Sequence, residues 1–314
     1  MDTTIIAALI GGVFTITATI IPIISYRKRK KHVPINIDEG SKYAVYKISN
    51  IIKNELCQVG LNIDSFSFMP NFSILDLKIY CKKIYYPNYS EEKIDSYIDS
   101  AREKAYSLKY ANPKEDEKLV QINKIKINNI IPWENYIIML LKAQSLEDYY
   151  NYRILDIGIG NGFSTESFYR NCKKLTGIDI SRKALEYAKL KHPNARLIKN
   201  QAEDLKDIHN NSIDIIFAFR VFQSTLFDKK MALCEAFRVL SSGGILIISI
   251  PIMFRKENGD ILFGLIPPDQ ENPSMEYALL IAQDFKDLIM TMNFKNVNIS
   301  RDSPFELYIS GKRP

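Results

Sequence analysis

Residues 154–162 read ILDIGIGNG, and this stretch decides the fold. Arg153–Ile157 is a short apolar run of the kind a buried strand needs. Gly158-Ile159-Gly160-Asn161-Gly162 follows at once, and Phe163–Cys172 then reads as a helix. A strand, a glycine turn and a helix in this order make a ligand-binding element at the carboxyl end of a parallel sheet. The glycines let the backbone approach a ligand closely, and the helix start offers N–H groups. The spacing is G-x-G-x-G and not the dinucleotide G-x-G-x-x-G, which counts against a nicotinamide-dependent reductase. Taken alone, the stretch is also what an ordinary glycine-rich turn looks like.

Further along, the pattern repeats. Lys174–Asp179 (KLTGID) is a second strand ending in an acid, 21 residues after Gly158. A carboxylate at that place can accept both hydroxyls of a ribose. A lone Asp after a strand is otherwise a turn or capping residue. Ser181 caps the next helix, Arg182–Leu190, and Arg196–Lys199 is a third strand, followed by Gln201-Ala202-Glu203-Asp204. Ser212–Phe219 is the fourth strand, Phe227–Leu240 a helix, and Ser241-Ser242-Gly243-Gly244 a turn. Ile245–Ile250 is nearly all apolar, as a parallel strand buried on both faces should be. A helix over Tyr277–Met292 and a strand pair, Val297–Ser300 and Glu306–Ser310, close the chain. Strands alternating with helices make an α/β, doubly wound fold.

The ordered set ILDIGIGNG (154–162), LTGIDIS (175–181), NQAEDL (200–205), SIDIIFAF (212–219) and AFRVLSSGGILIIS (236–249) resembles the class I S-adenosylmethionine-dependent methyltransferases, in particular the broad group acting on small molecules. The resemblance covers roughly half of the chain and implies a mostly parallel, seven-stranded Rossmann-like sheet. It implies S-adenosyl-L-methionine as cofactor. Gly158, Gly160 and Gly162 would pass under its methionine and ribose part, Asp156 would position its amino group, and Asp179 would bind the ribose diol. Ile180 would pack on the adenine and Ala202 would offer it a backbone N–H. Gln201 stands where the family often has an Asp, and its carbonyl oxygen can still accept from the adenine amino group. Glu203 and Asp204 come next, with a solvated position as the plain alternative. Phe219 and Arg220 end the fourth strand, near the sulfonium and the acceptor.

A base is needed only when the acceptor atom carries a proton, and the sequence names none, so no catalytic residue is assigned. His32 lies beside a basic knot, His192 ends a helix and His209 precedes a turn, all read as exposed positions away from the strand ends. The fourth strand runs into FAFRVFQ (217–223), with no Asn-Pro-Pro-Tyr and no cysteine, which argues against methylation of DNA bases. Pro251–Met275 is a long connection that, with Trp133, Tyr136 and a helix over Glu134–Gln144, is placed to shape an acceptor pocket. A solvated surface loop is the alternative reading of Pro251–Met275.

Residues 34–130 carry no motif and read as a mainly helical region, either a small domain or a cap. Ser41–Leu56 and Glu91–Tyr110 follow the helical period, the second with Ser90 as its N-cap and Pro113 beyond its end. Val120, Ile122, Ile125 and Ile127 suggest a short strand. The methyltransferase domain is expected over 131–314.

Residues 1–33 are of a different kind. Thr3–Tyr26 holds no charged residue, and Arg27, Lys28, Arg29, Lys30 and Lys31 follow directly. As a helix the run would be roughly 36 Å long at 1.5 Å per residue, enough for a hydrocarbon core of about 30 Å. The basic knot places the body of the chain in the cytoplasm, single-pass, at the cell membrane. A signal peptide would carry its positive charge before the apolar run, whereas here Asp2 precedes it. A buried core helix rarely runs so long without a more polar residue. There is no G-x-x-x-G, so a helix dimer is not indicated and the oligomeric state stays open.

Composition agrees. The chain has 314 residues, 46% hydrophobic and 25% charged, which excludes a disordered or collagen-like protein. Of the net charge of +6, residues 1–33 carry +4, so the body is close to neutral and does not look like a nucleic-acid surface. Four cysteines lie far apart, with no C-x-x-C, so no metal site is read from them and a reducing compartment is expected. The reading is a membrane-anchored methyltransferase of a small acceptor, with a lipophilic one expected from the anchor. A protein methyltransferase and a non-catalytic membrane-held module that binds the cofactor are the competing functions.

Overall fold

The alternation of apolar runs and glycine turns builds a seven-stranded sheet with helices on both faces. The structure is a computed structural model that describes residues 50–66, 74–109, 133–222, 227–251, 254–255, 261–262, 275–303 and 306–314. The apolar run 3–26, the basic knot and the strand expected near 120–127 lie outside the described residues. So does most of the 251–275 connection. Among the described residues no helix is long and apolar enough to cross a membrane.

The strands are β1 (Arg153–Ile157), β2 (Lys174–Asp179), β3 (Arg196–Lys199), β4 (Ile213–Phe219), β5 (Leu240–Pro251), the short pair β6 (Phe254–Arg255) and β7 (Ile261–Leu262), β8 (Lys295–Ser300) and β9 (Glu306–Lys312). The main sheet runs β3-β2-β1-β4-β5-β9-β8. The first five strands are parallel, and β9 is antiparallel to both its neighbours. All five parallel strands therefore end at one edge, with Asp179 paired to Lys199 and Phe219 to Ser249.

Side chains alternate across the sheet, as the period of two demands. Ile154, Ile215, Phe217, Ile245, Ile247 and Tyr308 face one layer, which holds α3 (Trp133–Ala143), α4 (Glu166–Tyr169) and α5 (Arg182–Lys191). Leu155, Ile216, Ala218, Leu246 and Ile309 face the other, covered by α6 (Lys229–Val239) and α7 (Met275–Thr291). The long apolar strand β5 is thus buried on both faces.

Two sequence expectations shift. The helix expected over Phe163–Cys172 is a single turn, α4, because Asn161 Oδ1 accepts the Phe163 N–H at 3.1 Å and draws residues 161–165 into a turn. The Ser241–Gly244 turn is absorbed into β5. Gly243, at φ +77°, lets the strand jump register against β4, and its N–H bonds the Arg313 carbonyl at 2.9 Å.

Residues 50–58, α1 (Ile74–Tyr85) and α2 (Glu91–Lys109) form a helical unit with its own core of Ile52, Leu56, Leu77, Ile94, Ile98 and Ala105. In α2 the apolar positions 94, 98, 101 and 105 line one face, as an amphipathic helix requires. Ser90 Oγ accepts the Lys93 N–H at 3.3 Å, the cap expected from the sequence.

Candidate functional site

The site is assembled at the carboxyl edge of the parallel strands. The turn after β1 is a run of left-handed glycines: Gly158 at φ +74°, Gly160 at +59° and Gly162 at +71°. A β-carbon on Gly158 would stand 2.5 Å from Val221 Cγ2, and one on Gly162 would stand 2.7 Å from His192 Cδ2. Both positions therefore exclude side chains on conformation and on space. Gly158 and Ile159 donate to the Ile178 carbonyl at 2.8 and 3.0 Å, which pins the turn to β2. Since α4 is one turn long, the amides near the site belong to this loop and not to a helix terminus.

Asp179 closes the loop from the other side. Its Oδ2 accepts the Gly160 N–H at 3.0 Å and its Oδ1 accepts the Ser181 N–H at 2.8 Å. Ser181 Oγ in turn caps α5 by accepting the Ala184 N–H at 3.2 Å. The carboxylate is buried but held at the rim, beside the glycine turn, where a ribose was expected.

Asp156 sits at the end of β1 and is 1% exposed. Its Oδ2 and the buried Tyr169 hydroxyl lie side by side without a well-formed hydrogen bond to any group, close enough for the hydroxyl to act on the carboxyl. Burial pushes the Asp156 carboxyl well above its ordinary range; the neighbouring Tyr169 hydroxyl pulls it down and the Asp179 charge pushes it further up. Burial and then the Asp156 charge raise the Tyr169 phenol. A buried acceptor without a donor is rare in proteins and costs stability.

His192 departs from the sequence reading. It is buried and not exposed, because the chain turns back at Pro193 and packs the ring against the glycine loop. Its Nε2 meets the Gly162 carbonyl at 3.1 Å, and burial lowers its pKa, so the neutral ring donates that bond. It acts on the shape of the loop.

The adenine-side residues expected from the sequence come together beyond β2 and β3. Ile180 and Gln201 line a cleft of about 510 Å³ shared with α1 and α2. The glycine turn does not line it. Ala202 is half-buried against the core. Gln201 Oε1 accepts from Arg102 Nη2 at 2.5 Å, so the acceptor assigned to an adenine amino group already has a guanidinium partner. Glu203, for which a solvated position was the plain alternative, pairs with Arg102 Nη1 at 2.7 Å. No motif in the sequence singles out Arg102. Its one signal is position: a lone arginine directly beside the apolar stripe of α2.

At the end of β4, Phe219 stacks on Phe217 with ring centroids 5.1 Å apart. Arg220 is left-handed at φ +59°. Its N–H donates to Ser249 Oγ at 3.0 Å, and its side chain pairs with the buried Glu306. Among the described residues no group of three His, Cys, Asp or Glu gathers to hold a metal ion.

Residues 155–248 match the family model described as a methyltransferase domain. A Mycolicibacterium smegmatis protein named "Probable S-adenosylmethionine-dependent methyltransferase" is 24% identical over 98 residues. The match takes in 31% of this chain and 37% of that protein, so the chain spans little over a third of the curated relative it matches. A solved S-adenosylmethionine dependent methyltransferase from Mesorhizobium loti is 16% identical, with a TM-score of 0.38 over 52% of this chain and 91% of that one. A SAM dependent methyltransferase from Aquifex aeolicus is 16% identical, with a TM-score of 0.40 over 62% of this chain and 98% of that one.

Proposed function

We propose that this chain is an S-adenosylmethionine-dependent methyltransferase acting on a small, lipophilic acceptor and held at a membrane by residues 3–26. The transferase class and the cofactor rest on the methyltransferase domain at 155–248. The observation that supports putting the cofactor here is Asp156, a buried carboxyl at the end of β1 whose Oδ2 has no well-formed hydrogen bond. An amino acid ammonium would give that oxygen its donor and offset the cost of its charge. The glycine turn, with no room for a β-carbon at 158 or 162, fits a ligand lying against the backbone.

In this reading Asp156 holds the ammonium, Asp179 the ribose hydroxyls, and Ile180 with Ala202 the adenine. When bound, the cofactor would supply the methyl group from its sulfonium, with the neutral thioether as the leaving group. The residues of the chain bind, align and exclude water, which is the larger share of catalysis for an in-line transfer. Phe219 offers an apolar wall near the acceptor.

The anchor is supported by the uncharged run 3–26 and the basic knot behind it. A lipophilic acceptor follows from the anchor, since tethering raises the local concentration of substrates held in the same bilayer.

Calorimetry of the full chain in detergent with S-adenosylhomocysteine tests the cofactor. Saturable binding of micromolar scale, about −8 kcal/mol, is expected; folded protein giving no heat overturns the reading. High-salt washing of membranes tests the anchor, because salt screens the basic knot but does not extract a buried helix. Release into the supernatant overturns it. Transfer of labelled methyl to extracts split into aqueous and lipid fractions tests the acceptor. Label in the aqueous fraction alone overturns the lipophilic assignment and leaves the transferase standing.

A further inference from the structure

The helical unit before the sheet meets the site through one face of α2. Glu103 pairs with Lys199 at 2.6 Å, Ser107 Oγ lies 3.2 Å from Ser181 Oγ, and Arg102 reaches Gln201 and Glu203. Glu103 and Ser107, four residues apart, share one side of the helix, and Arg102 stands on the flank between that side and the apolar stripe. That side crosses the ends of β2 and β3, where the adenine of the cofactor is expected. The opposite side of α2 is committed to the unit's own core.

Arg102 is the centre of this contact. Its side chain is 2% exposed, with Glu203 at 2.7 Å and Asp99 at 3.5 Å to balance its charge. The planar fork of a guanidinium holds two acceptors at a fixed angle, which a lysine ammonium cannot do. Here the two acceptors, Gln201 Oε1 and Glu203 Oε1, belong to one turn after β3. Glu203 Oε1 also accepts the Asp228 N–H at 3.1 Å, so the turn is tied to the start of α6 as well.

A guanidinium only donates. It therefore dictates which way round the Gln201 amide stands: oxygen toward Arg102, nitrogen away. A free terminal amide rotates through a broad, two-fold well and can offer either end to a base. A held amide offers only its N–H, which adenine N1 can accept and the protonated N1 of a 6-oxo base cannot, so here Gln201 reads the ring nitrogen and not, as expected from the sequence, the 6-amino group. We infer that Arg102 is a positioning residue for adenine recognition, acting from α2 through the orientation of Gln201; this rests on the cofactor reading above. The helical unit is then part of the cofactor site and not only a cover over an acceptor.

The test compares S-adenosylhomocysteine with S-inosylhomocysteine, which carries a 6-oxo group and a ring N–H in place of the 6-amino group and ring nitrogen. Affinities for both are measured by calorimetry on the full chain, wild type and Arg102→Met. The wild type should prefer the adenine ligand, and Arg102→Met should bring the ratio nearer to one by about tenfold, the scale of one charge-assisted hydrogen bond. Arg102→Lys, which keeps the charge without the fork, should fall between. Arg102→Met leaves Glu203 without its partner, so Arg102→Met with Glu203→Gln removes both charges while keeping an acceptor for Asp228. It should show the same loss of discrimination. Loss of stability alone would weaken both ligands and leave the ratio unchanged. A folded variant with the wild-type ratio, or a wild type that binds both ligands equally, overturns the inference. A wild type that binds neither overturns the cofactor reading itself, and this inference with it.

Discussion

Asp179 Oδ2 accepts the Gly160 N–H at 3.0 Å, so the acid that ends β2 holds the middle of the glycine turn that follows β1. One side chain thus serves two structures at once, the loop and the rim of the site. The bond also explains why an acid at this distance from the glycines is more than a turn residue.

Asp179→Ala should weaken S-adenosylhomocysteine binding by about 1.5–3 kcal/mol, the usual worth of a hydrogen bond to a charged group. The loss combines a missing ribose acceptor with a loosened Gly160. Calorimetry on folded variant reads it directly; binding at the wild-type affinity would show that the carboxylate does not reach the ligand.

Asp156→Asn should move stability and binding in opposite directions. The raised carboxyl pKa means the folded state holds its proton more tightly than the unfolded chain, so stability falls as pH rises above the ordinary value of 3.8. An amide has no proton to lose, so the variant should unfold at a higher temperature than wild type at neutral pH, by roughly 1–2 kcal/mol in stability. Binding should weaken at least tenfold, about 1.4 kcal/mol. In the wild type the ammonium should displace the carboxyl proton, and titrations in buffers of different ionisation heat will detect its release. A variant less stable than wild type would refute this account of Asp156.

His192→Gln should flatten the acid limb of the stability profile. Burial lowers the His192 pKa, so the neutral ring supports the fold above its ordinary value of 6.5, and that support is lost as pH falls below it. Glutamine keeps a donor for the Gly162 carbonyl without titrating. Melting curves from pH 7.5 to 5 should therefore converge for the two proteins at low pH relative to their separation at neutral pH. Parallel curves would show that His192 does not titrate on unfolding.

Gly158→Ala should destabilise the chain by about 2 kcal/mol or more, since a left-handed residue other than glycine costs about 1–2 kcal/mol before any clash. The clash itself, 2.5 Å to Val221 Cγ2, should be relieved in part by Val221→Ala. A double-mutant cycle on denaturant melts separates the two. Exact additivity would place Val221 away from the turn.

Most of the sheet was legible in the sequence because its information is local. A run such as ILIISI must be buried on both faces, and an acid or glycine at a strand end leaves its mark within a few residues. The spacing of Gly158, Asp179 and Phe219 along the chain became adjacency along one sheet edge because parallel strands end together. Local signals failed where neighbours overrode them: Asn161 shortened α4, and Gly243 carried the Ser241–Gly244 turn into β5.

What the sequence determined by itself was the order of the strands and helices, the glycine turn and the acids that flank it. Only the tertiary structure decided that His192 is buried against Gly162, that Asp156 is buried beside the Tyr169 hydroxyl, and that Arg102 holds Gln201 from about a hundred residues away. The physical reason is range. Secondary structure depends on patterns a few residues long, whereas burial and hydrogen-bond pairing depend on which distant surfaces meet, and a polar side chain shows no sign of its partner until the chain has folded around it.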